Sequence, residues 1–263
     1  IYANNGYIYR GFPYGYENGQ YNSSRLRRTP AGSNAWQTVY DFTRTDNYRP
    51  GFIGCGFGTL PNGDEVVVWK NWSVTPSNSN RADIFAYNLT ADSLMWRNTD
   101  FMQAANVIPL QVKDGVCYGL LKYSAFAIDL ATGNVLWEYD FRDQNNPFLN
   151  FAITYFYIDG TRMIIHGENV NNLYYLSTNT GKIIKVVEGI PYPEDRFAYF
   201  EGKLFSAGSR LSIVDINTGV DLLKDYDHSE FKSWNSGVTI DPLRRVMYCH
   251  DGVYAYCIKI PEL

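Results

Sequence analysis

Short runs of apolar residues, broken by clusters of Gly, Asp, Asn and Thr, follow one another along the whole chain. No stretch shows the 3.6-residue spacing of an amphipathic helix, so the pattern predicts strands joined by turns and very little helix. One segment carries the pattern most fully. Residues 125–130 read as a strand, Thr132-Gly133 as a turn in which glycine takes a positive φ, and residues 134–141 as a second strand carrying Trp137.

The segment recurs. Residues 127–137 read AIDLATGNVLW, and degraded copies occupy 86–96, 175–185, 213–223 and 26–36. Their turn positions, Gly32, Asp92, Gly133, Gly181 and Gly219, are spaced by 60, 41, 48 and 38 residues. With insertions set aside, the unit is about 40 residues long. Strand pairs precede three of the copies: 107–112 with 116–121, 151–158 with 162–166, and 196–200 with 203–207. Each unit is thus strand–turn–strand–loop–strand–turn–strand, the four-stranded meander of a β-propeller blade.

The chain start supplies strands at 6–14, 24–28 and 35–42, and its end supplies 236–241, 245–250 and 253–260. The total is 22 strands, two short of six sheets of four. The expected fold is all-β: one propeller domain over residues 1–263 with six four-stranded blades, or else the C-terminal part of a seven- or eight-bladed propeller. The inner strand of the first blade and the outer strand of the last are expected upstream of Ile1, because propellers close with an N-terminal strand and an open edge invites aggregation. The absence of an initiator Met fits a trimmed product.

Composition narrows the function classes. The chain is 16% aromatic and 19% charged, against roughly 25% charged for an average domain, which excludes a disordered chain. No run of about 18 apolar residues predicts a membrane-spanning helix. A net charge of −4 argues against nucleic acid as a partner. The four cysteines, Cys55, Cys117, Cys249 and Cys257, form no CxxC pair, so buried free thiols and no structural metal are expected. A two-residue loop at Asp251-Gly252 would set Cys249 opposite Tyr254 and Cys257 opposite Val246, out of register for a disulfide.

The pattern A-x-D-x-x-T-G-x-x-x-W resembles the blade signature of the pyrroloquinoline-quinone-like, or quinoprotein-like, propellers. Residues 127–137 match it at Ala127, Asp129, Thr132, Gly133 and Trp137. The copy at 86–96 keeps Ala86 and Trp96 but has Asn88 and Asp92; that at 213–223 keeps Asp215, Thr218 and Gly219 but ends in Leu223; that at 175–185 keeps Thr180 and Gly181. The Tyr- and Asn-rich style and the ending at 251–261 look like secreted or lipid-anchored propellers of the Bacteroidota, which implies an extracytoplasmic setting and a lipid anchor, if any, upstream of Ile1. The quinone-dependent dehydrogenases of this fold carry adjacent cysteines, and no two cysteines here are adjacent, so no quinone or other cofactor is expected.

Catalytic chemistry has little to stand on. His166, His228 and His250 lie on different units, and His166 and His250 are expected as solvated or capping groups. There is no G-x-S-x-G elbow. The oxygen-rich cluster Asp140, Asp143 and Asn145 is the best calcium candidate, but it lacks EF-hand spacing, as does the group Asp225, Asp227 and Glu230. Arg25 and Arg27 share a strand face and are expected to guard an exposed edge. Sequons stand at Asn22, Asn71 and Asn88, and Asp92-Ser93-Leu94 resembles a Bacteroidota O-glycosylation motif. The remaining lead is the aromatic surplus, from which Tyr14, Tyr16, Tyr21 and Trp72 are the candidates for contact with a protein or a glycan. The stretches 12–23, 74–81 and 141–150 are the expected functional loops. The expected function is a non-catalytic interaction module of a cell-envelope or surface assembly, similar in role to the propeller lipoprotein of the outer-membrane β-barrel assembly machinery. A glycan-binding protein and an enzyme with a central-funnel site are the alternatives.

Overall fold

The computed structural model describes residues 1–17, 20–43, 52–74, 80–106, 108–144, 156–166, 172–190, 197–207, 210–225, 237–251 and 253–260. Two compact units divide the chain, Ile1–Phe141 and Arg142–Leu263.

The first unit holds three antiparallel sheets of four strands. The first sheet comprises β1 (Tyr2–Asn4), β2 (Tyr7–Glu17), β3 (Gln20–Pro30) and β4 (Gln37–Thr43). The second comprises β5 (Ile53–Thr59), β6 (Glu65–Val74), β7 (Asn80–Asn88) and β8 (Ser93–Asn98). The third comprises β9 (Gln111–Lys113), β10 (Val116–Leu120), β11 (Ser124–Asp129) and β12 (Val135–Asp140). In the second unit the fourth sheet comprises β13 (Phe156–Asp159), β14 (Arg162–His166), β15 (Asn172–Ser177) and β16 (Ile183–Glu188). The fifth comprises β17 (Ala198–Phe200), β18 (Lys203–Ala207) and β19 (Leu211–Asp215), and the sixth β20 (Thr239–Asp241), β21 (Val246–His250) and β22 (Ala255–Lys259). Within every sheet, hydrogen-bonded neighbours are also neighbours in sequence.

The total of 22 strands among the described residues equals the expected number, but the strands are distributed differently. The first sheet does have its inner strand: β1 pairs with β2 from Tyr2↔Tyr9 to Asn4↔Tyr7. Three residues of mixed pattern are too short to stand out in a sequence. The fifth sheet instead loses its outer strand, which shrinks to one bridge between Val214 and Asp221. The Asp221 carboxylate accepts from the amides of Ile213 and Leu223 and pairs with Arg210 at 2.6 Å, so a side chain replaces the ladder there. The stretch 12–23, expected as a loop, is largely hairpin, with the β2–β3 ladder running out to Glu17↔Gln20.

The second and fifth sheets are apolar on both faces because each packs on both sides. Val66, Val68, Ile84 and Ala86 face Leu110, Cys117, Phe126 and Ile128 of the third sheet. The alternate residues Val67, Trp69, Phe85 and Tyr87 face Tyr9 and Leu26 of the first. Ile164, Leu173 and Tyr175 likewise pack on Leu204 and Val214, while Phe205 and Ile213 pack on Met247 and Cys249. Much of the aromatic surplus is spent in this way. Trp69 stacks on Phe85 at 5.2 Å and 4°, Tyr9 meets Phe57 at 4.8 Å, and Tyr157 stacks on Tyr199 at 4.0 Å.

The repeat signature is turn chemistry followed by docking. Asp129 accepts from the amide and hydroxyl of Thr132 at 2.8 and 2.7 Å, and Gly133 (φ 78°) closes the turn onto the Asp129 carbonyl. Asp215, Thr218 and Gly219 repeat the arrangement, and their bonds hold the Asp215 carboxyl below its ordinary value. In the degraded copy, Asn88 takes the Asp role and Asp92 stands in the left-handed region at φ 53°. Trp96 lies over the next sheet's turn: its indole N–H donates to the Leu130 carbonyl at 2.8 Å, and its ring covers Gly133. Where the copy at 175–185 has lost the tryptophan, Lys185 donates to the carbonyls of Asn217 and Thr218 at 3.0 Å each.

The last hairpin corrects the expected register. Asp251 accepts from the amides of Val253 and Tyr254, making a four-residue loop rather than a two-residue one. Cys249 therefore faces Tyr256 and Cys257 faces Tyr248. All four cysteines are free, as expected, but Cys257 is exposed rather than buried.

Candidate functional site

Four outer strands share one irregularity. Leu26 pairs with Tyr40 but Arg27 with Thr38, and the same one-residue slip separates Ala86↔Trp96 from Tyr87↔Leu94, Ala127↔Trp137 from Ile128↔Val135, and Tyr175↔Lys185 from Leu176↔Ile183. Each slip is a β-bulge whose extra residue has no partner in the ladder. The extra residues are Val39, Met95, Leu136 and Ile184, all aliphatic or thioether. Leu136 is 53% exposed and Ile184 57%, and Leu222, at the same repeat position in the fifth sheet, is 42% exposed. After three of the bulges the next residue, Tyr40, Trp96 or Lys185, docks on the following sheet. In the first sheet that residue is Tyr40, which packs on Trp69 and Tyr87 at 5.6 and 5.8 Å. Trp36, expected to end the first copy, belongs to a longer turn and meets Phe12 instead.

A hollow of about 400 Å³ opens beside the first of these bulges. Arg28, Gln37, Thr38 and Val39 of the first sheet line one side, and Leu89, Thr90 and Asp92 of the second line the other. The Arg28 guanidinium lies 5.0 Å from the centre of the Tyr7 ring and bonds the Tyr9 side chain. Asp92 accepts from the Tyr87 hydroxyl at 2.9 Å, and burial together with that bond pushes Tyr87 up to about 12. Neither Arg28 nor Asp92 has an ion-pair partner among the described residues.

Two buried polar groups escaped the sequence reading. Lys70 is fully buried; its ammonium donates to Asn106 Oδ1 at 2.5 Å and to the Leu120 carbonyl at 3.1 Å. Burial pulls its pKa down to about 7. Asp83 is 1% exposed and takes the Arg97 guanidinium at 3.0 and 2.5 Å, with Arg81 at 3.3 Å. The available signal was a single charge inside each of two apolar runs, 66–72 and 82–86. Three of the four thiols are sealed as well: burial pushes Cys55 and Cys117 up to about 12 and Cys249 to about 11.

The sequence candidates for partner contact lie on the first and second sheets. Tyr14 and Tyr16 lie on β2, Tyr21 on β3 and Trp72 on β6. The register places Tyr16 opposite Tyr21, and the side chains of all four are outside the described residues. Asp140 accepts from Gln103 at 3.3 Å, whereas Asn145 and the Asp143 side chain are outside the described residues, as are His228, Asp227 and Glu230. Trp137 and Gly181 hold their signature positions in the third and fourth sheets, Gly181 closing its turn onto the Ser177 carbonyl. His166 is not solvated: it is 1% exposed, with Nε2 3.1 Å from the Ile190 carbonyl. Arg25 and Arg27 are not on an edge, because β3 is an interior strand; Arg25 pairs with Asp41 and Arg27 donates to the Trp36 carbonyl. The Asn71 and Asn88 sequons are buried, and Asn88 spends its amide on Asp64 and its oxygen on two backbone N–H groups. Among the described residues, Tyr248 and Tyr254 are exposed, at 42% and 66%.

No family model matches the chain, and no curated protein matches it. Solved structures do. BamB from Moraxella catarrhalis aligns with a TM-score of 0.53 at 12% identity, over 92% of this chain and 69% of that one. Sqt1 from Saccharomyces cerevisiae gives 0.64 at 12%, over 91% and 66%. A chain of the mitotic checkpoint complex gives 0.56 at 8%, over 91% and 71%. At these identities the likeness shows the fold: the chain is an all-β propeller whose six sheets are its blades.

Proposed function

We propose that the chain is a non-catalytic, protein-binding propeller that serves as a scaffold or accessory subunit of an extracytoplasmic assembly. The observation that carries this reading is the bulge position. The same repeat position is apolar throughout: Val39 and Met95 pack partly against the core, whereas Leu136, Ile184 and Leu222 are 42–57% exposed. A bulge re-aims one side chain without breaking the sheet, and an apolar side chain held in solvent at a repeated position is one that a protein partner would cover. The sealing of Cys55, Cys117 and Cys249 supports the non-catalytic part, because a protonated, enclosed thiol is a poor nucleophile. One similar structure is a component of a named protein complex, and the sequence style resembling secreted or lipid-anchored propellers supports the extracytoplasmic setting.

The triple variant Leu136→Asp, Ile184→Asp, Leu222→Asp tests it. Surface substitutions usually change stability by under about 0.5 kcal/mol each, so the variant is expected to melt close to the wild type. It is also expected to lose the protein that the wild type co-isolates from the native source. Retention of that protein at wild-type yield would refute the reading.

A further inference from the structure

We propose that the hollow between Arg28 and Asp92 is a recognition pocket for a single acidic side chain on a partner protein. This inference rests on the protein-binding reading and names one of its contacts. A guanidinium is a fork that takes a carboxylate through two parallel hydrogen bonds, and the Arg28 fork is already oriented by Tyr7 and Tyr9. It has no carboxylate partner among the described residues. The volume, about 400 Å³, suits one side chain and its flanking backbone. Thr38, Thr90 and Gln37 supply polar groups to an entering main chain, and Val39 and Leu89 supply apolar floor.

Asp92 sets the selectivity. It stands on the opposite side of the same hollow, held by Tyr87, and raises the energy of any second negative charge that enters. One carboxylate on Arg28 is therefore accepted, while a dianionic phosphate or a run of acidic residues is disfavoured. The two sides come from different sheets, so the pocket exists only while Tyr9, Leu26 and Tyr40 hold the first sheet against the second.

The test uses the full chain, isotope-labelled, titrated with three acetylated and amidated peptides: Gly-Thr-Glu-Val-Gly, its Gln counterpart and its phosphoserine counterpart. The Glu peptide is expected to give saturable amide shifts confined to residues 37–39 and 90–92, with the Gln peptide about tenfold weaker. Arg28→Gln is expected to bring the Glu peptide down to the Gln level, and Arg28→Lys to restore part of the difference. Asp92→Asn, which tolerates the left-handed backbone, is expected to strengthen the phosphoserine peptide. Equal binding of the Glu and Gln peptides to the wild type, or shifts centred elsewhere, would overturn the proposal even if Arg28→Gln fails to fold. Loss of the co-isolated protein in the bulge variant but not in Arg28→Gln would remove the pocket and leave the protein-binding reading standing.

Discussion

Replacing Gly133 with valine is expected to destabilise the first unit by about 4 kcal/mol, a fall of roughly 10 °C in its melting temperature. Two costs combine. Gly133 has φ 78°, where an L-residue pays roughly 1–2 kcal/mol and a β-branched one more. A Cβ there would also lie 2.6 Å from the Trp96 ring, which the bond from its indole N–H to Leu130 holds in place. Gly63→Ala isolates the first cost, since Gly63 has φ 90° and nothing within 4 Å of a Cβ. It should cost only about 1–2 kcal/mol. Adding Trp96→Ala to the Gly133→Val background should recover part of the loss, a coupling of about 1–2 kcal/mol in a double-mutant cycle. If Gly133→Val costs no more than Gly63→Ala, the docking of one blade's tryptophan on the next blade's turn is not tight.

Lys70→Met is expected to erase a rise of stability with pH. Burial favours the neutral amine, so the folded pKa is about 7 against an ordinary 10.5. Above 10.5 neither state is protonated and the fold bears no cost. As pH falls the unfolded chain takes its proton first, so stability declines until about pH 7 and then levels off. The slope approaches about 1.4 kcal/mol per pH unit. Cys55 and Cys117 act in the opposite sense, because their folded pKa values near 12 exceed the unfolded ones and their contribution is lost as pH rises past about 8.5. Urea unfolding between pH 7 and 8.5 therefore isolates Lys70. The wild type should gain roughly 2 kcal/mol over that window relative to Lys70→Met. Relative to Lys70→Met, Lys70→Ala should lose about 2–4 kcal/mol at every pH through the cavity it leaves. Parallel pH profiles for wild type and Lys70→Met would show that Lys70 keeps its proton in the fold.

What could be read in the chain was local chemistry. The Asp129–Thr132–Gly133 turn is legible because its hydrogen bonds span four residues, and five copies of it in phase announce the blades. Features made by partners distant in sequence were not legible. A bulge adds one residue to a strand whose partner starts about ten residues earlier, and composition does not record it. For that reason Trp36 looked like the end of the first copy, when Tyr40 holds that position after a longer turn. Lys70 stands out as a charge in an apolar run, but its acceptor Asn106 lies 36 residues away, outside any motif. The pocket depends on Arg28 and Asp92 meeting across two sheets, and neither residue is unusual alone. Composition alone did not sort the aromatic surplus: many of its rings fill the spaces between sheets, while among the described residues Tyr248 and Tyr254 reach solvent.

Site-specific photocrosslinking in the native source tests the protein-binding claim most directly. A photoreactive phenylalanine analogue is placed singly at the bulge positions Leu136 and Ile184 and at the matching Leu222. The exposed control is Leu243, which is 95% exposed but lies off the outer strands. The expected result is a discrete protein adduct at each of the three positions and none at the control. Adducts that are equally frequent at Leu243, or none at any of the three positions, would contradict a propeller that holds its partner on bulged outer strands.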